Sequence, residues 1–288
     1  MIISRNNNIS GKHGKPIVFD YGFKVNGIKK PVVIFAHGFK GFKDWGHFNK
    51  VMTYFIENDF SFVKFNFSHN GGTLEQPIDF PDLEAFGNNN FTKELSDLRT
   101  VIDWVENFES EEMDPDQIYL IGHSRGGGIS ILSAHEDKRI KRLITWAAVS
   151  DLINRYPETV LANWKKEGVL YVENSRTNQQ MPLYYQLAED TLENKERFDI
   201  ERVAKQLQIP HLIIHGSADL VVGLPEAKQI HTWSKTSEIF VLPGAGHSFG
   251  ASHPYEDQYF PRDVALVLEK TLGFLQYNFP LMGQKISV

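Results

Sequence analysis

The sequence predicts an α/β fold with a mostly parallel central sheet that helices cover on both faces. Strand-like and helix-like segments alternate along the 288 residues, which is typical of such a sheet. Residues 31–36, Pro-Val-Val-Ile-Phe-Ala, form a continuous apolar run, as expected of a strand that is buried on both faces. In residues 48–56, apolar side chains instead recur every three to four positions, which indicates an amphipathic helix.

The other predicted elements continue this alternation toward the C-terminus. Short apolar runs predict further strands at residues 60–67, 118–121, 143–149, 211–215 and 238–242. Thr92 is suited to be the N-cap of a helix whose inner face carries Leu95, Leu98, Ile102 and Val105. Helices are also predicted at residues 129–134 and 264–275.

Two segments interrupt the alternation. Residues 152–208 lie between two predicted strands and contain no strand-like run, so we expect a small helical cap inserted into a single domain that spans residues 1–288. Residues 68–90 contain two adjacent glycines and two prolines, and they are predicted to form a long surface loop.

The composition argues against several classes of function. The net charge of −6, without a long Lys/Arg run, gives no support to binding of nucleic acid or of an anionic membrane. A chain without cysteine forms no disulfide or thiolate zinc site, and no His-Glu-x-x-His motif predicts another metal centre. Residues 1–15 are too polar for a secretory signal, and no apolar stretch is long enough to cross a bilayer. A cytoplasmic location is therefore expected, whereas the oligomeric state is not predicted.

Residues 122–126, Gly-His-Ser-Arg-Gly, match the Gly-x-Ser-x-Gly pattern of a nucleophile elbow. An apolar strand precedes the motif and a helical pattern follows it. This is the required context, because the serine of an elbow occupies a strained strand-to-helix turn between residues of low bulk. Ser124 is therefore the candidate nucleophile. The alternative interpretation is that the motif is only the glycine-rich first turn of a helix and has no catalytic role.

A serine hydroxyl is a weak nucleophile until a base accepts its proton. His247 lies in a glycine-rich segment after a predicted strand, and we prefer it to His253, which lies away from the glycine turn. The carboxylate that orients the imidazole is predicted to be Asp219, directly after another strand, with Asp151 as the alternative. Along the chain the three residues follow the order serine, aspartate, histidine. This is the order found in enzymes whose nucleophilic serine lies on a turn between a strand and a helix.

Acyl transfer also requires donors for the oxyanion of the tetrahedral intermediate. We expect the backbone N–H of Arg125, next to the nucleophile, to be one of them. The second is expected to be the N–H of Phe39, which follows the first long apolar strand. Lys40, Lys43 and Arg125 lie near the expected mouth of the site and weakly favour acidic substrates, although charges on loops are most often merely solvated.

These motifs together resemble the α/β-hydrolase superfamily. The resemblance is carried by residues 34–38 (Ile-Phe-Ala-His-Gly), 122–126, 215–219 (His-Gly-Ser-Ala-Asp) and 246–247 (Gly-His). Their spacing and the cap are similar to the branch that includes dienelactone hydrolases, bacterial feruloyl esterases and the catalytic domains of prolyl oligopeptidases. Dienelactone hydrolase has a cysteine nucleophile where this chain has serine, and the large propeller of prolyl oligopeptidases does not fit into 288 residues.

The sequence therefore predicts a serine hydrolase that cleaves small-molecule carboxylic esters through an acyl-enzyme on Ser124, without a cofactor. A small peptidase of the same fold and a non-catalytic ligand-binding protein are the alternatives. In the cap, Trp164, Tyr184 and Tyr185 are the candidates for substrate contact, because aromatic side chains can line an acyl pocket. The same aromatic residues could instead form the core of the cap.

Overall fold

The computed structural model describes residues 1–276. Its strands are β1 (Ile2–Ser10), β2 (Pro16–Phe23), β3 (Lys30–Ala36), β4 (Ser61–Phe65), β5 (Met113–His123), β6 (Ile140–Trp146), β7 (Val169–Asn174), β8 (Gln179–Tyr184), β9 (His211–Gly216) and β10 (Ser237–Leu242). Its helices are α1 (Phe48–Glu57), α2 (Leu83–Gly87), α3 (Phe91–Asn107), α4 (Arg125–Glu136), α5 (Glu158–Glu167), α6 (Gln186–Glu193), α7 (Lys195–Phe198), α8 (Ile200–Ala204), α9 (Leu224–Trp233) and α10 (Arg262–Gln276).

Eight strands form the central sheet in the order β1-β2-β4-β3-β5-β6-β9-β10. The six strands from β4 to β10 in this order are parallel, whereas β2 pairs with β1 and with β4 in the antiparallel sense. The predicted α/β fold with a mostly parallel sheet is therefore confirmed. β1 and β2 were not predicted from the sequence. β1 is a polar edge strand without the apolar pattern that marks the others.

Alternate side chains of the strands point to opposite faces of the sheet, and each face is covered by helices. Val32 and Ile34 of β3 pack on one face with the apolar residues of α3, α4 and α9. Val33 and Phe35 pack on the other face with those of α1 and α10. This two-sided burial is why the strands are continuous apolar runs.

The insertion between β6 and β9 differs from the sequence expectation. It contains the helices α5 to α8, but β7 and β8 pair within it as a two-stranded antiparallel hairpin, which was not predicted. Residues 169–172 of β7, Val-Leu-Tyr-Val, form an apolar run that the sequence analysis overlooked, although the strand is half-buried or exposed over most of its length. Trp164, Met181 and Leu187 of the insertion join the same apolar cluster as α3 and α4.

Two local predictions also need correction. The N-cap of α3 is Asn90, whose Oδ1 accepts a hydrogen bond from the Lys93 N–H at 3.0 Å, whereas the Thr92 hydroxyl donates to Asp190 in the insertion. The predicted loop at residues 68–90 includes the short helix α2. Within residues 1–276, no helix combines the length and apolar character needed to cross a bilayer.

Candidate active site

Ser124 alone connects β5 to α4. Its backbone has φ +56° and ψ −124°, a conformation that costs a residue with a β-carbon about 1–3 kcal/mol. Hydrogen bonds hold the turn in place, because the Ser124 N–H donates to the Trp146 carbonyl and its carbonyl accepts from the Gly127 N–H, both at 2.9 Å. The turn thus has the backbone geometry of a nucleophile elbow.

Two glycines allow the neighbouring backbone to approach this turn. A β-carbon at Gly126 would lie 2.3 Å from the carbonyl oxygen of His37, and one at Gly38 would lie 2.8 Å from the β-carbon of Ser124. Contacts this short are prohibitive, so the loop after β3 reaches Ser124 only because both positions lack a side chain.

The buried His37 holds that loop. Its Nδ1–H donates to the Gly38 carbonyl at 2.9 Å, and its Nε2 accepts from the Phe67 N–H at 3.4 Å. Burial lowers the pKa of His37 to about 4, so the ring is neutral and has the tautomer that both bonds require. Among the described residues, the N–H groups of Phe39 and of Arg125, the first residue of α4, donate no hydrogen bond.

Asp219 and His247 lie on loops that follow the adjacent parallel strands β9 and β10. Backbone hydrogen bonds join the loops, from the Ser217 N–H to the Leu242 carbonyl at 2.9 Å and from the Ala218 N–H to the Ala245 carbonyl at 3.0 Å. As a result, Nδ1 of His247 lies 2.8 Å from Oδ2 of Asp219.

The Asp219 carboxylate is fully buried and is held by further donors. Its Oδ1 accepts hydrogen bonds from the N–H groups of Val221 and Val222 at 2.8 and 2.9 Å. Nε2 of His215 lies 3.4 Å from Oδ2 and donates to the Val222 carbonyl at 2.8 Å. Burial lowers the pKa of His215, which is therefore neutral, so His247 is the imidazole that this carboxylate can stabilise as a cation.

His123 packs against His247 and hydrogen-bonds to its backbone. The rings of His123 and His247 are 4.9 Å apart, and Nε2–H of His123 donates to the His247 carbonyl at 3.1 Å. Burial, together with the charge that His247 can carry, lowers the pKa of His123 to about 3. The sequence analysis did not assign His37, His123 or His215 to the site. His37 directly follows β3, His123 ends β5 and His215 is the penultimate residue of β9, and each lies within a motif that was recognised.

Ser124 and His247 line the same cavity, which has a volume of about 500 Å³. Trp164, a candidate for substrate contact, also lines it, and its Nε1–H donates to the Leu183 carbonyl. Tyr184 and Tyr185 do not line it, which corrects their assignment. The Tyr184 hydroxyl donates to Glu84 at the surface, and Tyr185 packs edge-on against Trp164.

The alternative residues for the histidine and the carboxylate lie elsewhere. Oδ1 of Asp151 accepts from the N–H groups of Ile153 and Asn154 in a local turn. Nδ1 of His253 accepts from the Gly46 N–H at 2.8 Å. Neither residue lines the cavity. In residues 1–276, no three His, Asp or Glu side chains form a cluster suited to hold a metal ion.

Lys43 is buried and does not lie at the mouth of the cavity as expected. Its Nζ bonds to Asp20 at 2.8 Å and to Asp44 at 2.5 Å, and Lys64 pairs with the same two carboxylates. Although burial opposes it, Lys64 and Lys43 lower the pKa of Asp44 to about 2. We call these four residues the charge quartet; it ties the loop after β3 to strands β2 and β4.

Comparison with known proteins places the chain in a family. The family model BD-FAE matches residues 21–234, whereas no curated protein matches. Est1E from Butyrivibrio proteoclasticus has a similar structure, with a TM-score of 0.69 and 19% identity over 94% of this chain and 98% of that one. The α/β hydrolase GrgF from Penicillium sp. is 17% identical over 96% and 98%, with a TM-score of 0.70. A monoacylglycerol lipase from Paleococcus ferrophilus is 15% identical over 90% and 98%, with a TM-score of 0.64. At such identities the structures show a shared α/β-hydrolase fold, and the family model leads to one conclusion: the chain belongs to the BD-FAE family.

Proposed function

We propose that this protein is a serine hydrolase that cleaves carboxylic esters of small molecules, with Ser124 as nucleophile, His247 as general base and Asp219 as the residue that orients the base. The observation that best supports this function is the 2.8 Å contact between His247 Nδ1 and Asp219 Oδ2, in an imidazole that lines the same cavity as Ser124.

In the first half of the reaction, the Ser124 hydroxyl oxygen attacks the ester carbonyl carbon while Nε2 of His247 takes the hydroxyl proton. Because Nδ1 is bound to Asp219, Nε2 is the ring nitrogen available for this transfer. The carbon–oxygen bond to the alcohol then breaks, and His247 returns the proton to the alcohol oxygen. An acyl-enzyme on Ser124 remains.

In the second half, a water molecule attacks the acyl carbon and gives its proton to His247. The bond to Ser124 breaks, the serine oxygen recovers the proton, and a carboxylic acid leaves. In both halves the backbone N–H groups of Phe39 and Arg125 stabilise the oxyanion, since neither is engaged elsewhere among the described residues. The N-terminus of α4 adds a favourable dipole.

The insertion at residues 152–208 acts as a cap on a single hydrolase domain in this proposal. It supplies Trp164, Leu161 and Leu187 to the cavity walls, so it shapes the space for the acyl or alcohol group. Among the structural neighbours, Est1E is also known with bound ferulic acid, and another is a monoacylglycerol lipase. Both support an ester substrate with an apolar part.

Two measurements test the proposal. Ser124→Ala should lower the hydrolysis of 4-nitrophenyl butyrate by several orders of magnitude, whereas Ser133→Ala, on the buried side of α4, should not. A fluorophosphonate should label Ser124 alone. Labelling of another serine, or normal turnover by Ser124→Ala, contradicts the proposal. Faster cleavage of peptide amides than of esters would replace the esterase with a peptidase.

A further inference from the structure

We propose that the cavity beside Ser124 contains an anion subsite, formed by Lys40 and the guanidinium of Arg125, which binds a carboxylate group of the substrate. This inference rests on the proposed function and names a substrate class for it. The substrates would be esters that have an apolar body and a free carboxylate.

The charged side chains around the cavity have one sign. Lys40, Arg125 and Arg155 line it, and no aspartate or glutamate does so among the described residues. Phe39, Phe91, Leu152, Leu161 and Trp164 are among the apolar residues of the wall. A cleft lined by charges of one sign and walls of low dielectric strengthens the field that acts on a ligand of opposite sign.

Arg155 does not contribute a free charge to this field. Its Nη1 and Nη2 bond to Oε1 and Oε2 of Glu226 at 3.0 and 2.6 Å, and its Nε donates to the Asp151 carbonyl at 2.6 Å. The guanidinium is thus neutralised by a two-point ion pair, and its donors are largely in use. Two of the three cations remain available.

Arg125 keeps most of its donors free. A single bond, from Nη2 to Oε1 of the buried Glu94 at 2.6 Å, fixes the guanidinium, whose Cζ lies 4.4 Å from the centroid of the Phe39 ring. The other side-chain N–H groups of Arg125 have no hydrogen-bond partner within residues 1–276. A planar guanidinium held in this way presents its remaining donors in the geometry that suits a carboxylate.

Lys40 carries a positive charge without a carboxylate partner. Its Nζ donates to the Glu173 carbonyl at 2.8 Å and lies 5.8 Å from the same Phe39 ring, and Lys40 forms no ion pair in the part of the chain that the structure describes. Its backbone has φ +54°, which disfavours a side chain. Two cations beside one ring, with only Glu94 as a counter-charge, leave a positive charge that a bound anion would neutralise.

The first experiment compares an anionic ester with a neutral ester of matched size and shape. One pair is mono-4-nitrophenyl adipate and 4-nitrophenyl 6-methylheptanoate, in which an isopropyl group replaces the carboxylate. A second pair, 3-butyryloxybenzoate and 3-butyryloxybenzamide, places the charge on the alcohol side. In at least one pair, we expect kcat/KM of the wild type to favour the anionic ester by about tenfold or more.

Variants locate the origin of that preference. Lys40→Met should lower the anionic-to-neutral ratio of kcat/KM by about tenfold. Removal of Arg125 alone would leave Glu94 buried without its partner, so Glu94→Gln and Arg125→Met are combined, and the ratio should again fall. Lys138→Met is the matched control, because Lys138 also bonds to a backbone carbonyl but lies exposed beyond the far end of α4; the wild-type ratio should persist.

The second experiment is independent of turnover. Calorimetry of Ser124→Ala should show tighter binding of 4-phenylbutyrate than of 4-phenylbutanamide, and adding Lys40→Met should remove the difference. Equal affinity for the acid and the amide overturns the anion subsite. So does equal turnover of charged and neutral esters in both pairs, and in that case Ser124-dependent ester hydrolysis would leave the proposed function intact. If no ester were hydrolysed, the function would fail and the binding measurement would still decide the subsite.

Discussion

Oδ2 of Asp219 accepts a hydrogen bond from Nδ1 of His247 over 2.8 Å, although the two residues are 28 positions apart in the chain. Parallel pairing of β9 with β10 brings their carboxyl ends to the same edge of the sheet. The carboxylate thereby engages Nδ1 and leaves Nε2 for the role of base that we propose.

The first prediction follows from this contact. Asp219→Asn replaces the acceptor by an amide, which stabilises the wrong tautomer of His247, so kcat should fall by about three to four orders of magnitude while the fold is retained. Asp151→Asn is the control, because Asp151 lies in a local turn outside the cavity. Steady-state kinetics and far-ultraviolet circular dichroism provide the test, and a severe loss in Asp151→Asn with a mild one in Asp219→Asn would exchange the two roles.

The cap should control which esters react. Trp164→Phe removes part of one wall of the cavity, so the ranking of 4-nitrophenyl esters from acetate to decanoate in kcat/KM should change. Tyr184→Phe removes only the surface bond to Glu84 and should preserve the wild-type ranking. If all esters slowed by one common factor in Trp164→Phe, the indole would only stabilise the insertion and would not select substrates.

The charge quartet should stabilise the loop that carries Phe39. Lys64→Met leaves the carboxylates of Asp20, which is buried, and Asp44, which is largely buried, with Lys43 and the more distant Arg5 as their only cations among the described residues, so the free energy of unfolding should fall by about 3–5 kcal/mol. The double variant Asp20→Asn/Lys64→Met restores the charge balance and should lose less. Urea unfolding measures both effects, and equal losses in the single and double variants would contradict the electrostatic explanation.

Stability should depend on pH through Asp97, which accepts a hydrogen bond from the Ser68 N–H at 2.8 Å. Burial raises the pKa of Asp97 from its ordinary value of 3.8 to about 7, so between these two pH values the folded chain retains a proton that the unfolded chain releases. The stabilisation is complete below the lower value and is lost as the pH rises through the upper one.

Asp97→Asn does not titrate, so its stability relative to the wild type should increase with pH, by on the order of 1 kcal/mol per unit within this window. Urea midpoints at several pH values give the difference. The exposed Asp116→Asn should show no such trend, and a difference for Asp97→Asn that is independent of pH would indicate an ionised Asp97 throughout.

Sequence patterns predicted those parts of the structure that obey local rules. The buried strands and the turn at Ser124 were recognisable because two-sided burial requires apolar runs and a close backbone approach requires glycine. The hairpin of β7 and β8 was missed although residues 169–172 form an apolar run, because a short run of this kind does not distinguish a strand from part of a helix and only the pairing with β8 decides between them. The edge strand β1 was missed for a similar reason: its polar side chains are solvated while its backbone pairs with β2.

Side-chain environments were harder to predict than elements. Lys43 reads as a solvated charge in the sequence, but residues distant in the chain, Asp20 and Lys64, complete an ion network around it. Tyr184 and Tyr185 belong to a residue type that suits a pocket, yet the Tyr184 hydroxyl bonds to Glu84 at the surface and Tyr185 packs against Trp164. In both cases the decisive contacts depend on tertiary packing.

The position of β10 has a consequence for how activity is lost. β10 pairs with β9 alone, at one margin of the sheet, and the segment that carries His247 follows it directly. Ser124 instead follows β5, which has β3 and β6 on its two sides. Local opening of this edge breaks fewer hydrogen bonds than opening of the centre, so it would separate His247, the proposed base, from Ser124, the proposed nucleophile, while the centre stays folded. Heat inactivation should therefore begin below the melting temperature, and amide hydrogens of residues 237–247 should exchange with deuterium before those of residues 118–124.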